Sequence, residues 1–67
     1  MQNVVMELSR LLSPRESQVF GELLLGRPNK VIARNLCIEE RTVKFHCSNI
    51  YRKLNINNRQ GLLTFFN

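Results

Sequence analysis

Aspartate and tryptophan are absent from this 67-residue sequence, histidine occurs once (His46), and cysteine twice (Cys37 and Cys47). All five acidic side chains are glutamates: Glu7, Glu16, Glu22, Glu39 and Glu40. General acid–base and metal chemistry have little material here. Structural zinc needs four ligands at short paired spacings, and Cys37, His46 and Cys47 leave the fourth unfilled. A nucleophilic set from Cys47, His46 and Glu40 fails because adjacent helical residues point about 100° apart. No enzyme activity, metal or cofactor is therefore expected. Two cysteines make neither a disulfide scaffold nor paired metal ligands, which fits a reducing compartment. The longest apolar run, Leu23-Leu24-Leu25, is far short of the roughly 20 residues that span a bilayer. The N-terminus lacks the basic start and apolar stretch of a targeting peptide, so no membrane partner is expected.

What the chain does carry is positive charge. Ten Lys and Arg against the five Glu give +5, with a pI near 10.0, and point to a polyanionic partner. The excess is uneven. Residues 1–26 hold Arg10 and Arg15 against three glutamates, whereas residues 27–67 hold eight basic side chains against Glu39 and Glu40. The second half is the expected binding surface. At this length there is room for one modest core and no deep substrate pocket.

Helical spacing recurs along the chain. Val4, Val5, Leu8, Leu11 and Leu12 predict a short leading helix over 4–12. Ser13-Pro14-Arg15-Glu16 is a capping box with Pro at the first helical position. The helix it opens carries Val19, Phe20, Leu23 and Leu24, and stops at Gly26 with Pro28 beyond. Asn29 is the expected cap of a two-turn segment with Ile32, Ala33 and Leu36, too short to stand without packing. From Glu40 to Leu54, Val43, Cys47, Ile50 and Leu54 fall at i, i+4, i+7 and i+11, the clearest amphipathic pattern present. Asn55-Ile56-Asn57-Asn58 reads as a turn, and residues 59–66 as a last short helix.

A short helix, a tight turn and a longer basic amphipathic helix outline a helix-turn-helix. Cys37 stands where glycine is common in such a turn. If its φ is positive, the side chain costs on the order of 1 kcal/mol; otherwise the turn has another shape. Projecting the long helix at about 100° per residue puts Val43, Cys47, Ile50 and Leu54 inward, with Tyr51 and His46 at the margins. His46 is expected to be a packed residue whose ring makes a hydrogen bond. The opposite arc holds Arg41, Lys44, Phe45, Ser48 and Arg52, flanked by Thr42 and Asn49. These side chains suit a groove: Lys or Arg for guanine, Asn for adenine, Ser for either, and Phe for a thymine methyl. Phe45 carries the most weight, since an aromatic ring in water forgoes about 1.5–3 kcal/mol of burial.

The stretch Leu12-Ser13-Pro14-Arg15-Glu16, with Val19, Gly26, Asn29-Lys30, Ile32-Ala33, Leu36, Ile38, Thr42-Val43-Lys44, His46, Asn49-Ile50, Lys53-Leu54 and Asn58-Arg59, resembles the LuxR-type (GerE-type) DNA-binding domain. The match runs without a gap over residues 12–66. It implies an all-α, four-helix domain over residues 12–67, preceded by an N-terminal extension over 1–11. Its third helix, about 40–54, would lie in the major groove of double-stranded DNA, and its last helix would form a homodimer on a palindromic site. Lys44, Phe45 and Ser48 match the family's base-facing positions. Asn29, Lys30, Thr42 and Lys53 match or adjoin its phosphate-facing ones, and the outward arc adds Arg41, Asn49 and Arg52 to the expected phosphate contacts. Leu62, Leu63, Phe65 and Phe66 exceed what one face of so short a helix can bury, and the resemblance makes them the dimer interface.

Three positions depart from the family pattern: Glu39, where a capping Ser or Thr is usual; Cys37 in the turn; and Asn55, where Gly often ends the recognition helix. With eleven residues before Leu12, the chain resembles the family's stand-alone members; a piece of a longer protein would leave the regulatory half elsewhere. The resemblance implies a cytoplasmic, nucleoid-associated transcriptional regulator. The competing reading is an antagonist that heterodimerises with a larger LuxR-type regulator through the last helix.

Overall fold

Ser13, Pro14 and Glu16 start the first helix as their spacing dictates. The Glu16 N–H donates to Ser13 Oγ at 3.2 Å, the Ser13 N–H donates to Glu16 Oε1 at 3.0 Å, and Pro14 occupies the first turn, so free backbone donors are satisfied reciprocally. The computed structural model describes residues 10–66, with side chains as far as Leu62. Its elements are α1 (Pro14–Leu24), α2 (Asn29–Leu36), α3 (Glu40–Lys53) and a C-terminal 3₁₀ helix (Arg59–Phe66), with no strand among the described residues. The all-α expectation holds. Most of the leading helix expected over 4–12 lies outside the described residues, and residues 10–12 form a turn and bend from which Leu12 enters the core.

The three α-helices end by one device. Gly26, Cys37 and Asn55 take φ of 79°, 58° and 59°. The following N–H then reaches back to a carbonyl in the last turns of the helix: Arg27 to Glu22 at 3.2 Å, Ile38 to Ala33 at 3.0 Å and Ile56 to Tyr51 at 2.8 Å. Each is a left-handed stop of the kind glycine makes cheaply. Cys37 therefore does adopt the strained conformation, with its side chain exposed. Cys37→Gly is expected to raise stability by about 1 kcal/mol, an increase of roughly 4–8 °C in melting temperature. An unchanged or lower melting temperature would show that the turn carries no such strain.

The core draws on every described element. Leu12, Val19, Phe20, Leu23, Ile32, Ala33, Val43, Cys47, Ile50, Leu54 and Leu62 are buried together. α3 packs against both α1 and α2, which also touch each other. Ile38 and Ile56, which follow two of the left-handed stops, pack on this core and so fix the angle at which the chain leaves α2 and α3.

Two local expectations are corrected. Pro28, not Asn29, is the N-cap of α2; Asn29 is the first helical residue, and its side chain is engaged elsewhere. The last segment is a 3₁₀ helix rather than an α-helix. The Gly61 N–H donates to both the main-chain and side-chain oxygens of Asn58, at 3.0 and 3.2 Å, which sets the tighter i to i+3 winding. A Cβ at Gly61 would lie 2.9 Å from the Ile56 Cβ, so only glycine admits this approach to the Asn55–Asn58 turn.

Candidate nucleic-acid interface

Cys37, Ile38 and Glu39 join α2 to α3. Along α3, Val43, Cys47, Ile50 and Leu54 are buried, while Arg41, Lys44, Phe45, Ser48 and Arg52 are exposed. Thr42 and Asn49 are half-buried at the border. The division matches the helical projection residue by residue. Phe45 is 63% exposed, so it does not fold back against α2. Its ring lies tilted beside that of His46, with centroids 5.7 Å apart.

Local bonds order the polar side chains of this face. Arg52 Nη2 donates to Asn49 Oδ1 at 2.9 Å, and Arg41 Nε to Glu39 Oε1 at 2.9 Å. Glu39 occupies the N-cap of α3 without a side-chain capping bond, because its carboxylate is turned to Arg41. Both members of that pair are well exposed, where an ion pair contributes on the order of 0.2–1 kcal/mol. Its effect is to orient Arg41 more than to stabilise the fold.

A surface cleft lined by Asn29, Lys30, Glu40 and Arg59 brings the first turns of α2 and α3 together. Lys30 is exposed. Asn29 is half-buried, and its Oδ1 accepts from Arg59 Nη1 at 3.4 Å and from Cys47 Sγ at 3.9 Å. Arg59 Nη2 also donates to the Arg27 carbonyl oxygen. The guanidinium thus ties the start of the C-terminal helix to the loop before α2 and to its first residue. Sequence reasoning gave Arg59 no such part, since a bond between residues 29 and 59 leaves no periodic signal.

Lys53 sits apart from the other expected phosphate contacts. Its Nζ donates to Glu16 Oε1 at 2.7 Å, so the structure gives it an internal partner. Leu62 is corrected as well: it is 3% exposed and belongs to the core of its own chain, which removes it from the dimer set. The side chains of Leu63, Phe65 and Phe66 lie outside the described residues. The hydrogen bond expected of the His46 ring is not made at Nδ1, which is buried without a partner among the described residues.

Beneath the basic face, burial pushes the Cys47 thiol up and the Tyr51 hydroxyl up to about 12. Both stay neutral at physiological pH. Glu16 shifts the other way: the hydrogen bond from Lys53, then that from the Ser13 N–H, lowers its pKa below the ordinary 4.5. Its contribution to stability is complete above the unfolded value and is lost as pH falls through the folded one. Acid titration of wild-type and Glu16→Gln chains is expected to show the wild type losing its advantage below about pH 4.5; parallel profiles from pH 6 to pH 2 would count against the bond.

The family described as bacterial regulatory proteins, luxR family, matches residues 10–66. The chain belongs to this LuxR family. The CsgBAC operon transcriptional regulatory protein of Escherichia coli is 39% identical over 59 residues, covering 88% of this chain and 27% of the relative. The transcriptional activator protein CarR of Pectobacterium carotovorum is 46% identical over 54 residues, covering 81% and 22%. The nitrate/nitrite response regulator NarP of Escherichia coli is 45% identical over 56 residues, covering 84% and 26%. This LuxR-family chain spans about a quarter of the length of these curated relatives. No solved structure matches it. The family is one of regulators and not of enzymes, in agreement with the scarcity of catalytic groups. No described helix is long and apolar enough to cross a membrane.

Proposed function

We propose that this LuxR-family chain binds double-stranded DNA in a sequence-specific way and serves transcriptional regulation, with α3 in the major groove. One observation carries the reading: the outward arc of α3 exposes Lys44, Phe45 and Ser48 between Arg41 and Arg52, while the opposite arc is buried. Lys44 donates to a guanine edge, Ser48 bonds to a base edge, and Phe45 meets a thymine methyl. Arg41, Thr42, Asn49 and Arg52 on α3, with Asn29 and Lys30 at the start of α2, hold the phosphates that fix register. A homodimer through the C-terminal helix places two such faces on a palindromic site.

Selection from random duplex DNA at physiological salt tests this reading. The expected result is a recovered palindrome, bound with an affinity that falls steeply and linearly on logarithmic axes as salt rises. Salt-sensitive binding with no recovered motif would overturn it. Tight association of the chain with a larger LuxR-type regulator in that case would establish the antagonist.

A further inference from the structure

The ion pair between Lys53 and Glu16 is the one ion pair among the described residues that joins distant parts of the chain; the other two link residues five and two positions apart. It connects the last residue of α3 to the capping box that opens α1. The Glu16 side chain is 7% exposed, and its Oε1 accepts from both the Ser13 N–H, at 3.0 Å, and Lys53 Nζ, at 2.7 Å. Arg52, the adjacent residue, is exposed and turned to Asn49 on the outward arc. Two consecutive cations at the end of the same helix thus take different partners, Arg52 on the outward arc and Lys53 across to α1.

We infer that Lys53 is a positioning residue for base reading and not a phosphate contact: its ammonium is paired with the buried Glu16 carboxylate, and so clamps the C-terminal end of α3 to the N-terminal cap of α1. This rests on the assignment of α3 as the DNA-reading helix. The apolar stripe of α3 decides which face turns inward, but apolar burial is non-directional and leaves small pivots of the helix cheap. A charged bond of 2.7 Å at its end is directional. Lys44 lies nine residues from Lys53, about 13 Å along the helix axis, and once that end is released a tilt of about 10° about the packed middle of α3 moves the tips of the Lys44 and Phe45 side chains, about 10 Å from that fulcrum, by roughly 2 Å. That displacement exceeds the tolerance of a hydrogen bond to a base edge.

Charge accounting separates positioning from contact. Removing a lysine that touches phosphate lowers the salt slope of binding by about 0.9 and weakens all DNA sequences alike. Removing a positioning lysine leaves the slope and the nonspecific affinity in place and weakens the selected site alone. Glu16→Gln is the sharper variant. It keeps the capping geometry, frees Lys53 and raises the net charge by one, so pure electrostatics predicts tighter DNA binding, whereas loss of the clamp predicts weaker specific binding.

The experiment measures binding of wild type, Lys53→Met, Lys53→Arg and Glu16→Gln to a duplex carrying the site selected by the wild-type chain, and to a shuffled duplex, across a salt series. Circular dichroism at the assay temperature identifies the folded variants. Lys53→Met and Glu16→Gln are expected to lose roughly five- to tenfold on the selected site, comparable to the loss of one base contact, with the shuffled duplex and the salt slope little changed. Lys53→Arg, which can keep the pair, is expected to restore specific affinity. A slope reduced by about 0.9 in Lys53→Met, or tighter binding by Glu16→Gln, would overturn the inference while leaving α3 as the reader. If wild type selects no site at all, the assignment of α3 falls and this inference with it. Lys53 is exposed enough at 35% that its two variants keep the test decisive should Glu16→Gln not fold.

Discussion

Ile50→Ala is expected to bring this domain close to unfolding. The Ile50 side chain is fully buried in α3, where α3 packs on α1 and α2. Truncating it removes transfer free energy and leaves a cavity, together costing about 2–5 kcal/mol. A chain of this length has only about 3–10 kcal/mol of total stability on the usual per-residue scale, so the loss is a large share of the whole. Thermal unfolding followed by circular dichroism is expected to move down by at least about 10 °C. A shift under about 5 °C would mean that the helices close over the missing methyl groups, and that packing at the centre of this small core is looser than the zero exposure of Val19, Ile32, Val43 and Ile50 implies.

Lys44→Ala and Lys30→Ala are expected to weaken DNA binding in different ways. Both lysines are exposed, so neither change should move the melting temperature by more than a degree or two. Lys44 lies on the outward arc beside Phe45 and Ser48. Its removal is expected to cost about 1–3 kcal/mol on the selected site and to relax base preference at one position of each half-site. Lys30 stands at the start of α2 in the cleft with Asn29 and Arg59. Its loss is expected to lower affinity for selected and random duplexes alike and to reduce the salt slope by about 0.9. The measurement is a salt series on both duplexes with the base-preference profile redetermined for each variant. Equal losses by both variants on both duplexes would remove the division between base-reading and phosphate-holding lysines.

α3 was the most legible element, because the alternation of Val43, Cys47, Ile50 and Leu54 with basic and polar residues encodes which face is buried. The Ser13-Pro14-Arg15-Glu16 start was equally plain, since a capping box is a relation over three residues. The last helix was less so. Its winding depends on Gly61 lying against Ile56 and on bonds to Asn58, and apolar spacing over eight residues does not distinguish α from 3₁₀ winding. The same spacing could not tell whether Leu62 faced its own core or a second copy.

What the sequence determined by itself is thus short in range: the starts and stops of the helices, the buried stripe of each, and the concentration of positive charge on the second half with Phe45 among it. These follow from periodicity, capping and turn preferences, which act over a few residues. Only the tertiary structure decided that Asn29 bonds to Arg59 and Cys47 rather than capping α2, that Leu62 belongs to the core, and that Lys53 turns to Glu16 while Arg52 stays outside. Those pairings join residues 18 to 37 positions apart. Nothing local fixes them, because they depend on how the helices cross, and that is set by packing the whole core at once.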